Sequence, residues 1–307
     1  MILCCGEALI DMIPVETSGG DAFVPHSGGA IFNTAIALGR LGVSASMVTG
    51  LSDDLFGQQL RDGLDASHVD TSLVIASDRP TTLAFVKLVD GHASYVFYDE
   101  NSAGRMIQSD EFRPIPDQTN ALYFGGISLA CEPGAEAYAA LCAQAAKDLV
   151  VMIDPNIRPG FIRDEARYRQ RLEAMIAQAD IVKVSDEDLA WLIRDEDGLT
   201  TQARALQAMG PKVVIVTKGK DGAMALLPDG TVVTAASESV DVVDTVGAGD
   251  TFNAGVLAEL SNQGLLDKSS IAQITPDQMQ SVLAFGAKVA AVTVSRAGAN
   301  PPWADEL

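Results

Sequence analysis

Short apolar runs rich in β-branched residues alternate with helical patterns along most of the chain. Nothing else in the sequence constrains the fold as strongly. Residues 2–5, 45–49, 121–124, 150–153, 181–184 and 213–217 read as strands. Residues 30–41, 54–64, 134–147, 163–177, 185–193, 201–209, 249–260 and 276–292 read as helices. Such alternation predicts an α/β fold, a mostly parallel sheet flanked by helices on both faces. Ligands of open sheets of this kind sit at the carboxyl ends of the strands.

Two segments break the rhythm. Residues 11–26 place apolar side chains around Ser18-Gly19-Gly20-Asp21, and residues 81–98 flank Asp90-Gly91-His92, so both read as hairpins. The expected organisation is a main α/β domain from 1–10, 27–80 and 102–307, with 11–26 and 81–101 forming a small β-sheet lid. An isolated hairpin is marginal in water, so the lid needs further strands or a second subunit. Pairing of exposed lid edges would give a homodimer.

The 307 residues are 48% hydrophobic, enough for a substantial core, yet no run is long enough for a spanning helix. The amino terminus lacks the basic and apolar regions of a signal peptide. Cys4, Cys5, Cys131 and Cys142 show neither C-x-x-C pairing nor zinc spacing, as expected of buried thiols in the reducing cytoplasm. A formal charge of −20 disfavours nucleic acid and anionic membranes as partners. It repels any anionic ligand as well, so a ligand carrying phosphate requires a local attracting device.

That device is legible in Asp244-Thr-Val-Gly-Ala-Gly-Asp-Thr-Phe-Asn-Ala-Gly255. Gly247, Ala248 and Gly249 allow a tight turn and close backbone approach. The helix that follows points unpaired N–H groups and its positive dipole end at the turn, a natural phosphate site. Asp250 beside that site has two open readings on residue chemistry alone: a helix cap, or a base that takes a proton from an attacking hydroxyl. The loop is neither a Walker A motif nor a G-x-G-x-x-G fingerprint, and no such fingerprint follows Cys5. A dinucleotide-dependent oxidoreductase is therefore disfavoured.

Asp244–Asp250 resembles the second signature of the ribokinase-like (PfkB) family of carbohydrate kinases, and Gly28-Gly29-Ala-Ile-Phe-Asn33-Thr-Ala35 resembles the first. Gly50-Leu-Ser-Asp53-Asp54-Leu-Phe-Gly57 is similar to a third family segment. The resemblance runs from Gly6 to Pro301. It implies ATP-dependent phosphorylation of a sugar with Asp250 as catalytic base and Gly247, Ala248 and Gly249 as the anion hole. It also implies sugar contacts from Asp11, Gly28, Gly29 and Asn33, with the aromatic Phe97 and with Asn101 at the end of the lid.

Asp154-Pro-Asn156-Ile-Arg158 resembles an element of fructokinase-like members and implies contact from Arg158. Ser185 and Asp188 stand where the family has N-x-x-E, which implies Mg²⁺ held by Asp188 through water and a nucleotide contact from Ser185. Thr217-Lys-Gly219-Lys-Asp-Gly222 resembles the nucleotide-binding turn, and the Ser295–Asn300 segment the loop bordering adenine. Carbonyls of that loop with Asp244 imply a K⁺ site. Asp99 stands where relatives acting on 2-keto-3-deoxygluconate carry Arg, and a carboxylate there disfavours an acidic sugar. D-fructose, phosphorylated at O6, is the expected substrate. Ribose, 2-keto-3-deoxygluconate and a nucleoside remain alternatives, as does a silent sugar- or nucleotide-binding regulator.

Overall fold

The computed structural model describes residues 1–89, 92–194 and 196–307. The Asp90-Gly91 turn expected from sequence lies outside the described residues. The chain opens with β1 (Ile2–Cys5), β2 (Leu9–Thr17), β3 (Gly20–Gly28), α1 (Ala30–Arg40), β4 (Ala45–Val48) and β5 (Gly50–Ser52). Then come α2 (Leu55–Ala66), β6 (Ile75–Ser77), β7 (Leu83–Val89), β8 (His92–Tyr98), β9 (Ala121–Gly125) and α3 (Gly134–Ala145). The middle holds β10 (Val150–Asp154), α4 (Glu165–Ile176), β11 (Ile181–Ser185), α5 (Asp186–Leu192), α6 (Leu199–Ala208) and β12 (Val213–Thr217). The last part adds β13 (Ala223–Leu226), β14 (Val232–Ala235), α7 (Ala248–Asn262), α8 (Lys268–Ala272) and α9 (Pro276–Val294).

Eight strands form the main sheet in the order β14-β13-β12-β11-β10-β9-β1-β4. The six from β12 to β4 pair in parallel, and β13 and β14 extend the edge antiparallel. Strand periodicity divides the core. Ile2, Cys4, Ala121 and Tyr123 face one layer with α1, α7 and α9, while Leu3, Cys5, Leu122 and Phe124 face the other with α3 and α4. Each fully buried large side chain contributes about 1.5–3 kcal/mol. Burial on both faces explains why these strands lack polar alternation.

The two hairpins do not stand alone. β2 pairs in parallel with β7 through Ile10–Leu83, Asp11–Ala84 and Met12–Phe85, which joins them as one four-stranded sheet, β3-β2-β7-β8. This is the extra-strand solution to the marginal hairpin. In the main sheet, the chain leaves β1 for β4 on one side and returns to β9 on the other. A crevice opens at such a switch point, and the loops after β1 and β9 border it.

Candidate functional site

The crevice is organised by a buried carboxylate just past β1. Glu7 accepts from Ala30 N at 3.1 Å and from Ser128 N at 3.3 Å, tying the start of α1 to the turn after β9. Burial pushes its carboxyl up, against the pull of those hydrogen bonds. Asp11, on β2 of the small sheet, reaches the same region. A methyl on Gly28 would fall 2.2 Å from Asp11 Oδ2, so the absence of a side chain there is what admits the carboxylate. Among the described residues no donor meets Asp11, and burial raises its pKa to about 6. A largely buried carboxylate without a protein donor fits a ligand that brings its own hydroxyls.

Opposite stands the amino terminus of α7. Gly247 caps it at φ 79°, in the left-handed region, packed against Ala299. Thr251 Oγ1 donates to the Gly247 carbonyl at 2.9 Å and closes the turn. Asp250 is 8% exposed, and its Oδ2 accepts from Asn33 Nδ2 at 2.9 Å. Thr34 Oγ1 donates to the Asp250 carbonyl, so α1 holds both the side chain and the backbone of this residue. Burial raises the Asp250 pKa to about 6; Asn33 opposes the shift, Asp154 and Glu7 add to it and Lys183 offsets it. The cap reading fails on geometry, because Gly247, not Asp250, occupies the cap position.

Phe97 and Arg158 line one cavity of about 560 Å³ with Phe161 and Arg163. Phe97 and Phe161 meet edge to face, with ring centroids 4.0 Å apart. Arg158 donates to the adjacent Ile157 carbonyl, and among the described residues no carboxylate pairs with it. Asp99 lines the cavity too, but its carboxylate is 2.6 Å from Arg105 and both are largely buried. The carboxylate expected to disfavour an acidic sugar is thus paired with Arg105, and that ground for disfavouring one is withdrawn. Asn101 is exposed at φ 60°, a backbone shape Asn tolerates, and is not among the cavity's lining residues.

The remaining sequence candidates lie along the same edge of the main sheet. Ser185 accepts from Asp188 N and caps α5, while Asp188 Oδ1 accepts from Ile157 N at 3.2 Å. Burial and the neighbouring Asp154 raise the Asp188 pKa. Thr217, Gly219 and Gly222 form the turn after β12, closed by Lys218 N donating to the Gly222 carbonyl. Asp244 accepts from Val246 N and Gly298 N, clasping the segment before α7 to the loop after α9. The Asn300 side-chain oxygen is taken by Arg40 at 2.8 Å.

A buried network was missed in the sequence. Lys183 donates to Asp154 Oδ2 at 2.8 Å, and Asn253 donates to the same oxygen at 2.7 Å and to the Tyr123 hydroxyl at 2.8 Å. A lysine inside the apolar run Ile181-Val-Lys-Val was the available signal, since a lysine on a strand buried on both faces must be matched.

Over residues 1–306 the chain matches the family described as pfkB family carbohydrate kinase. The chain belongs to this family. It is 51% identical over 275 residues to a fructokinase of Rhizobium leguminosarum bv. trifolii, covering 89% of this chain and 84% of that one. Its fold is similar to that of a fructokinase from Xylella fastidiosa solved with bound ATP, at a TM-score of 0.88 and 29% identity, covering 97% and 93% of the two chains. A Vibrio cholerae fructokinase solved with fructose, ADP and calcium ion superposes at a TM-score of 0.83 and 25% identity, covering 97% and 94%. At Ser185 and Asp188, where the sequence resemblance implies a variant of N-x-x-E, the structure has a serine that caps α5 and a carboxylate that accepts from Ile157 N.

Proposed function

We propose that this sugar kinase is a fructokinase, transferring the γ-phosphoryl group of ATP to O6 of D-fructose. One observation carries the chemistry: a buried carboxylate, Asp250, poised at pKa about 6 beside the positive end of α7. The sugar's identity is supported by the 51% identical fructokinase and by the neighbour that holds fructose and ADP.

Fructose is bound by Asp11, Asn33 and the backbone at Gly28 and Gly29, with Phe97 and Arg158 walling the cavity on the side of the small sheet, which acts as a lid. Asn33 then serves two tasks, since it also orients Asp250. The O6 oxygen attacks the γ-phosphorus as the bond to the bridging oxygen breaks, and that electron pair leaves with ADP. The hydroxyl proton passes to the Asp250 carboxylate. Amides of Gly247, Ala248 and Gly249 receive the charge that develops on the phosphoryl oxygens. Lid closure excludes water, the competing acceptor. Ser185 and the turn carrying Thr217, Gly219 and Gly222 border the nucleotide, and Asn300 reaches it through its backbone, its side chain being held by Arg40.

Among the described residues no group of three or more His, Cys, Asp or Glu can enclose a metal. The largely buried carboxylate of Asp188 is a hard oxygen donor of the kind Mg²⁺ takes, an ion that keeps most of its water and takes phosphate oxygens as its other ligands. Asp188, with one oxygen engaged by Ile157 N, would hold it through water. When bound, the ion supplies charge neutralisation across the phosphates. Asp244 with carbonyls of the loop after α9 would hold K⁺ and stiffen the α7 turn. Four buried free cysteines support a reducing, cytoplasmic setting.

The test is Mg²⁺-ATP turnover, by coupled ADP detection, across fructose, ribose, glucose, 2-keto-3-deoxygluconate and adenosine. Fructose is expected to give the highest kcat/KM. Turnover confined to another sugar would discard the substrate and keep the Asp250 chemistry, and silence throughout would favour the binding-protein alternative.

A further inference from the structure

Lys183 is 4% exposed, deep within β11, and a lysine at that depth is rare unless its charge is matched. Its ammonium spends one N–H on Asp154 Oδ2 at 2.8 Å, and among the described residues no other acceptor takes the remaining two. Asp154 is itself fixed by Asn253, which lies one turn beyond Asp250 on α7. A methyl on Gly249 would come 3.4 Å from Lys183 Nζ, so the ammonium lies against the first turn of α7, where backbone N–H groups already converge. A purely structural ion pair at this depth would spend its ammonium on protein acceptors, because each unmet buried donor is costly. Here the spare donors sit beside a helix terminus built for anions, in a chain whose net charge is −20.

We propose that Lys183 is a further catalytic residue of phosphoryl transfer: its ammonium donates to the transferring phosphoryl group beside the amides of Gly247, Ala248 and Gly249, and Asp154 holds it in place. The inference rests on the kinase reading of the site. Lys183 takes no part in the proton transfer. The sugar oxygen–phosphorus bond forms, the bridging bond breaks toward ADP, and the hydroxyl proton goes to Asp250, while Lys183 contributes charge at the phosphoryl oxygens. Four ionisable groups bear on Asp250 in this arrangement, or would with phosphate bound: Asp154 on β10, Lys183 on β11, Glu7 after β1 and the phosphate itself.

The discriminating variant is the double substitution Lys183→Met with Asp154→Asn. Removing both charges strands neither, and Asn at 154 can still accept from Asn253. A structural pair predicts that the double variant works. The catalytic assignment predicts a kcat lower by roughly 10² while the KM for fructose changes less than about threefold, as for loss of a charge-stabilising donor. A folded double variant with kcat within threefold of the wild type overturns the assignment. If the double variant does not fold, Lys183→Arg is compared with Lys183→Gln per folded protein. Arg, which keeps the charge, is expected to retain at least about ten times the kcat of Gln, and equal losses overturn the assignment. Wild-type fructose turnover is measured in the same series: its absence overturns the kinase reading and this inference together, whereas an active wild type with an equally active double variant overturns this inference alone.

Discussion

Asp250 illustrates how a single residue is set between stability and function. Its folded pKa of about 6 lies above the 3.8 of a free aspartate, so the folded state favours its protonated form. The cost of ionising it is absent below the unfolded pKa and fully present above about pH 6. Asp250→Asn removes that cost and keeps an acceptor for Asn33. The variant is expected to be more stable than the wild type at pH 8, by about 1–3 kcal/mol, with the gain vanishing near pH 4. Its kcat should fall by roughly 10²–10⁴, the usual loss for a general base. Paired urea melts at the two pH values, with turnover at pH 8, check both halves; a variant equally stable and more than a tenth as active would refute the assignment. The wild-type rate should itself fall as pH drops through about 6, as the base takes up its proton. The loop chemistry singled out Asp250 with two readings open, while Asn33 and Asp11 were named only through the resemblance to the PfkB family; the structure brings Asn33 to Asp250. Lys183 was not singled out, because the network it joins draws Tyr123, Asp154 and Asn253 from β9, β10 and α7, far apart in sequence and brought together only by the fold. The role of Asp99 was misread for a different reason: its neutralising Arg105 lies beyond the strand that seemed to define the site.

At the level of elements, α7 positions the chemistry and α9 positions α7. The two helices cross at Gly255 and Gly286, where a methyl on Gly255 would fall 2.7 Å from the Gly286 Cα. No side chain at that crossing can rotate away, since the obstacle is backbone. Gly255→Ala is therefore expected to force the helices apart at a cost of about 1–3 kcal/mol. Because α7 is one rigid rod, kcat should drop while the far edge of the sheet is unaffected. Thermal melting and turnover at a temperature well below the melting midpoint separate the two effects; unchanged values for both would mean that the crossing is looser than it looks. The main strands and long helices were readable because burial on both sheet faces leaves unmistakable apolar runs. β13 and β14 were missed although Asp229-Gly230 marks the turn between them: β14 alternates buried and exposed side chains, as an edge strand does, and each strand has only four residues. The short β5–β6 pair and α8 left still weaker patterns.

For the whole molecule, the small sheet poses a question of what covers its outer face. Phe23, Phe85 and Tyr98 form a ladder across β3, β7 and β8, with centroids 5.0 and 5.5 Å apart. Val96, opposite Phe85, is 52% exposed, and Tyr98 is 60% exposed. Phe97, on the alternate face, lines the cavity, which Val96 borders as well. Apolar side chains gathered on one face of a projecting sheet are a recurring mark of association, and a second copy brings the same patch under two-fold symmetry. A chain with a net charge of −20 opposes self-association in general, so a contact between copies has to rest on apolar side chains such as these. Light scattering at micromolar concentration is expected to give twice the mass of one chain. Placing a charge on the ladder with Tyr98→Lys should shift the mass toward a single chain and raise the KM for fructose, because the lid loses the partner that steadies it. A wild-type mass of one chain would leave the ladder to another role and the lid to be held by β2–β7 pairing alone.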